Sequence, residues 1–124
     1  MIKPLGVFFI CLFAGSLAFA DVNMSGVHAF PVPFNPKKSS KRVIEITGFP
    51  IAAMPGTIKM EVFDINGDKV VSRTFTFSTG SIVQWNARTE NGKLVSPGMY
   101  IIKLSLYADD GDFGKKIIRT LIAY

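Results

Sequence analysis

The sequence predicts an all-β fold, an antiparallel β-sandwich of about seven short strands. Three observations carry this reading. Apolar residues recur with a period of two over most of the chain beyond residue 20, as half-buried strands require. Turn signals built from Asn-Gly, Pro-Gly and Asp-Gly pairs separate those runs at the spacing of sandwich hairpins. No stretch beyond residue 20 keeps a helical period.

Residues 27–32 supply the first strand. Over residues 42–46, Ile44 and Ile46 share one face and Glu45 takes the other. Ile58, Met60 and Val62 alternate with Lys59 and Glu61. Val71, Phe75 and Phe77 share a face with Arg73, while Ser72, Thr74 and Thr76 point away. Ile82 and Val83 lead to Trp85. Tyr100, Ile102, Leu104 and Leu106 alternate with Ile101, Lys103, Ser105 and Tyr107. In the final run Ile117, Ile118, Leu121 and Ile122 place apolar groups on both faces.

The joints are chemically distinct. Asn66-Gly67 and Asn91-Gly92 predict type I′ turns, whose two central residues both need positive φ. Pro97-Gly98 predicts the centre of a type II turn, with Pro setting φ and Gly taking the positive φ that follows. Residues 109–114 close the last hairpin, and residues 50–56 form a longer apolar connection. Trp85 and Tyr100 read as core, with the Trp85 indole N–H needing a partner. A ligand-stacking Trp85 is the sharper alternative, but its sequence neighbours bring no second aromatic or carboxylate.

Residues 1–20 have the three parts of a secretory signal peptide: Lys3, an apolar run over residues 5–13, and Ala18-Phe19-Ala20 as a cleavage site. The apolar run is short for a span, which takes roughly 20 residues. The expected layout is a signal peptide over 1–20, a short linker over 21–26 and one domain over 27–124, with no membrane span after cleavage. Cys11 leaves with the leader, so the domain has no disulfide and rests on burial alone. Of the 14 Lys and Arg, Lys3 also leaves, so 13 face 9 Asp and Glu, a net charge of +4. Lys37, Lys38, Lys41 and Arg42 cluster without interleaved aromatics. They read as a solvated loop and give no expectation of nucleic-acid binding.

No catalytic, cofactor or metal residues emerge. His28 is the chain's one histidine, and no Ser-Asp pairing lies near it for a triad. Residues 64–68 place oxygens at alternate positions like a calcium loop. However, Lys69 stands where that loop needs Gly, and Phe75 where it needs Glu. Asp109, Asp110 and Asp112 form a second acidic turn, for which solvation is the plainer reading. No carboxylate falls on an apolar face where burial would raise its pKa.

Taken together, FPVPFNP (residues 30–36), MEVFDINGDKV (60–70), WNARTENGKLVSPGMYIIKL (85–104) and GKKIIRTLIAY (114–124) resemble the immunoglobulin-like domain of the flagellar hook-capping protein family. The C-terminal sorting domains of type IX secretion cargo are similar. The resemblance implies an immunoglobulin-like sandwich without catalytic residues, used as a building block, spacer or address label. Three positions depart from the pattern: Val32 where Asn is usual, Ala87 where Gly is usual two places after the Trp, and Thr89 where an acid is usual.

The expectation is a non-enzymatic exported module, periplasmic, cell-surface or extracellular. It would act by contact with a protein partner of the cell envelope through the strand carrying Ile117, Ile118, Leu121 and Ile122. A secretion-targeting domain without cargo is the alternative, and a calcium- or glycan-binding surface module a further one.

Overall fold

The computed structural model describes residues 22–38 and 42–124. The signal-peptide reading, Cys11 and Lys41 lie outside the described residues. Seven strands form: β1 (His28–Phe30), β2 (Ile44–Thr47), β3 (Gly56–Asp64), β4 (Lys69–Phe77), β5 (Val83–Trp85), β6 (Gly98–Ala108) and β7 (Phe113–Ile122). They make two antiparallel sheets, β1-β2-β5 and β4-β3-β6-β7. The chain crosses between sheets after β2, β4 and β5, which sets β4 beside β3 and leaves three strands facing four. The apolar connection over residues 50–56 contains one 3-10 turn, Ile51–Ala53.

The period-two pattern buries one face of each long strand. Ile58, Met60 and Val62 of β3 and Ile102, Leu104 and Leu106 of β6 are fully buried. They meet Ile44 and Ile46 of β2, Val83 and Trp85 of β5, and Phe34. Trp85 and Tyr100 pack edge to face, with ring centroids 5.6 Å apart. The Trp85 indole N–H donates to Arg88 O at 3.1 Å. The Tyr100 hydroxyl donates to Ser96 O at 2.7 Å, four residues upstream, a tyrosine corner in geometry. Burial raises the Tyr100 pKa above its ordinary 10.0, with smaller contributions from Asp64 and Tyr124. Val22 and Met24, within the span read as linker, join the fold: Met24 is buried and Val22 N–H donates to Phe113 O at 2.7 Å.

The turn types differ from expectation. At Asn66-Gly67, only Gly67 has positive φ (90°). Gly67 N–H donates to Asp64 O, and Asp64 N–H to Asp68 O, both at 3.0 Å. This is a three-residue loop ending in a left-handed glycine, not a two-residue type I′ turn. Asn91-Gly92 repeats it, with Gly92 at φ 81° and the Thr89–Lys93 pair closing the loop. The loop between β6 and β7 is the third copy, with Gly111 at φ 101° and Ala108 and Asp112 as its closing pair. The dipeptides marked the corners, and in each loop the closing pair encloses three residues in place of two. The expected type II centre at Pro97-Gly98 is also corrected. Gly98 takes φ 149° and already pairs with Ile122, so it opens β6.

Thr89 and Ala87 each have a physical account in this fold. The Asp64 carboxylate accepts from Asp68 N–H at 3.0 Å, and Thr89 Oγ1 accepts from Lys93 N–H at 3.2 Å. The Thr89 hydroxyl therefore accepts in its loop the same bond that the Asp64 carboxylate accepts in the other. Ala87 is fully buried with φ 60°, a left-handed conformation that ordinarily favours glycine.

Candidate functional site

β7 lies at the edge of the larger sheet. Its register with β6 is continuous from Phe113 opposite Tyr107 to Ile122 opposite Gly98. Inward backbone groups are thus spent on β6, and outward groups alternate with them. Both ends of the outward edge are covered. Phe113 O accepts from Val22 N–H, while Leu121 O accepts from Phe34 N–H and Ala123 N–H donates to Phe34 O, at 2.8 and 3.0 Å. By parity, Lys115, Ile117 and Arg119 direct their N–H and C=O groups outward between these two caps. Among the described residues no backbone bond reaches those three.

The pleat divides the four residues singled out on this strand. Ile122 is buried at the Phe34 cap, and Ile118 is half-buried against the core. Ile117 is 65 % exposed and Leu121 39 %. Ile117 and Leu121 therefore share the solvent face with Met99, opposite Leu121, and Lys103, opposite Ile117. A shallow groove of about 460 Å³ lies along this edge, lined by Lys103, Lys115, Lys116 and Ile117. Sequence reasoning missed these lysines and Arg119. Their side of the strand was legible, but their convergence depends on the β6–β7 register.

Glu61 is in register with Lys103. Its pKa is lowered from 4.5, chiefly by the hydrogen bond from Lys69, and further by the charges of Lys59 and Lys103. Lys69 Nζ stands 2.9 Å and Lys59 Nζ 3.9 Å from its carboxylate. The opposite edge of the sheet, β4, is partly covered as well. Ser72 N–H donates to Glu90 Oε2 at 3.0 Å, and Arg73 pairs with Glu90 Oε1 at 2.6 Å. These two contacts, the Arg73 one first, lower the Glu90 pKa.

The remaining candidates do not assemble. A cleft of about 240 Å³ is lined by Val43, Arg73, Phe75, Gln84, Trp85 and Asn86, a set with no carboxylate, imidazole or hydroxyl. His28 lies at the surface, where Nδ1–H donates to Gly26 O at 2.9 Å and Nε2 stands 3.2 Å from the Thr47 hydroxyl. Asp64 Oδ1 is occupied by the N–H groups of Asn66 and Asp68. Among the described residues no three His, Cys, Asp or Glu group as metal ligands, and no helix is long and apolar enough to cross a membrane.

No protein-family model matches this chain, and no curated protein matches it. The solved structures that match include these two. Dimeric latent PorU from Porphyromonas gingivalis superposes with a TM-score of 0.56 at 15 % identity, over 78 % of this chain and 9 % of that one. CopC from Methylosinus trichosporium OB3b gives a TM-score of 0.48 at 13 % identity, over 77 % and 93 %. The PorU likeness is one of fold alone, and this chain spans 9 % of PorU's length.

Proposed function

We propose that this chain is a non-enzymatic, exported immunoglobulin-like module that works by contact with a protein of the cell envelope, and that β7 is the contact strand. The observation that carries this is the open centre of β7, where an isoleucine 65 % exposed sits beside outward backbone groups. An unpaired strand edge is a template for another strand, and proteins that do not use it usually cover it. Here, among the described residues, backbone hydrogen bonds cap both ends and none reaches the middle. Export rests on the leader pattern of residues 1–20.

The test is a photo-crosslinking amino acid at position 117 in cells, with position 65 as control. Ile65 is equally apolar and exposed but lies in the β3–β4 turn. A defined envelope protein should crosslink from 117 and not from 65. Equal or absent crosslinking at the two positions would refute the reading.

The sequence resemblance to type IX sorting domains supports a second reading, a targeting domain without cargo. The fold shared with part of PorU agrees with the fold that reading requires. A reporter fused ahead of this domain should then cross the outer membrane, and its retention in the periplasm would count against targeting.

A further inference from the structure

We infer that the occupant of the β7 edge is an extended acidic segment of another protein, of the pattern acid–any–apolar–any–acid, and not a second copy of this chain. The inference rests on the contact reading above and adds the partner's chemistry. The open span carries three outward-bonding residues, Lys115, Ile117 and Arg119, whose side chains share the solvent face. An added antiparallel strand would place its own residues directly opposite these three, on the same face. The residue opposite Ile117 meets an apolar side chain, and those opposite Lys115 and Arg119 meet cations.

The surroundings deepen the positive field. Lys103 lies across from Ile117 on β6, and Lys116 is half-buried, its Nζ 3.4 Å from Ser25 O. The carboxylate in register with Lys103 is Glu61, already bound by Lys69. The same charges argue against self-pairing. Two copies paired antiparallel about Ile117 would set Lys115 against Arg119 twice, and like charges directly opposite destabilise a ladder.

The experiment titrates the ¹⁵N-labelled protein with a blocked peptide, Thr-Asp-Thr-Val-Thr-Asp-Thr, and with its mirror carrying Lys for Asp. Nuclear magnetic resonance and hydrogen exchange read the amides. The acidic peptide should shift the amides of Lys115, Ile117 and Arg119 and slow their exchange, and the basic one should not. Binding should weaken about tenfold or more in the double variant Lys115→Glu/Arg119→Glu, which should come to prefer the basic peptide. No change at those amides with millimolar acidic peptide overturns the inference. So do amides already protected in the free protein, dimerisation through Ile117, or binding to phosphatidylglycerol vesicles without amide protection. If position 117 crosslinks an envelope protein in cells while the acidic peptide leaves the amides unchanged, the contact reading stands and the acidic-strand inference falls.

Discussion

Thr120 offers a measurable test of how β7 is packed. It sits on the inner face opposite Tyr100, is 1 % exposed, and its buried hydroxyl has no hydrogen-bond partner among the described residues. A buried polar group left unbonded costs about 1–3 kcal/mol. Thr120→Val keeps the β-branched shape, exchanges the hydroxyl for a methyl, and changes strand propensity by little. The expected gain is about 1–2 kcal/mol, which in a domain of this size raises Tm by roughly 4–12 °C. Thr120→Ser retains the hydroxyl and deletes the methyl, so it should lose about 1 kcal/mol. Urea denaturation with an unchanged m-value separates native-state effects from changes in the unfolded ensemble. A Val variant equal to or less stable than the parent would show that the hydroxyl is satisfied, and the argument from its isolation would fail.

The pleat at β7 predicts opposite outcomes for neighbouring substitutions. Ile117→Asp should cost about 1 kcal/mol or less, since only a third of that side chain is buried, whereas Ile118→Asp should cost about 3 kcal/mol or more in the same denaturation assay. Tyr100→Phe removes the hydroxyl bonded to Ser96 O and should lower stability by about 1 kcal/mol with the sheet spectrum unchanged by circular dichroism. Glu61 is held below its ordinary pKa of 4.5, so its stabilising contribution is complete above that value and disappears as pH falls through the lowered one. Glu61→Gln should therefore be less stable than the parent at pH 7, and the gap in Tm should close as the solution is acidified below about pH 4.

The strand runs and their inward faces were legible because alternation with a period of two is local. Ile58-Met60-Val62 and Tyr100-Ile102-Leu104-Leu106 declare a buried face without reference to any partner. The corners were legible for the same reason, since a left-handed glycine leaves a signature in its own dipeptide. The finer turn geometry was not, because it depends on which residues close each loop, Asp64 with Asp68 and Thr89 with Lys93, and that pairing leaves no mark in the dipeptide. The candidate site was half visible. Four apolar residues marked the last strand, but only pairing decided that this strand is an edge, that Ile117 faces solvent while Ile122 is buried, and that Val22 and Phe34 cover the ends and leave the centre open. The cations around that centre come from two strands, and they meet because β6 and β7 pair in one register. Side-chain periodicity is a property of the chain itself, whereas edges, caps and charge clusters depend on contacts between segments distant in sequence, and so only the tertiary structure decides them.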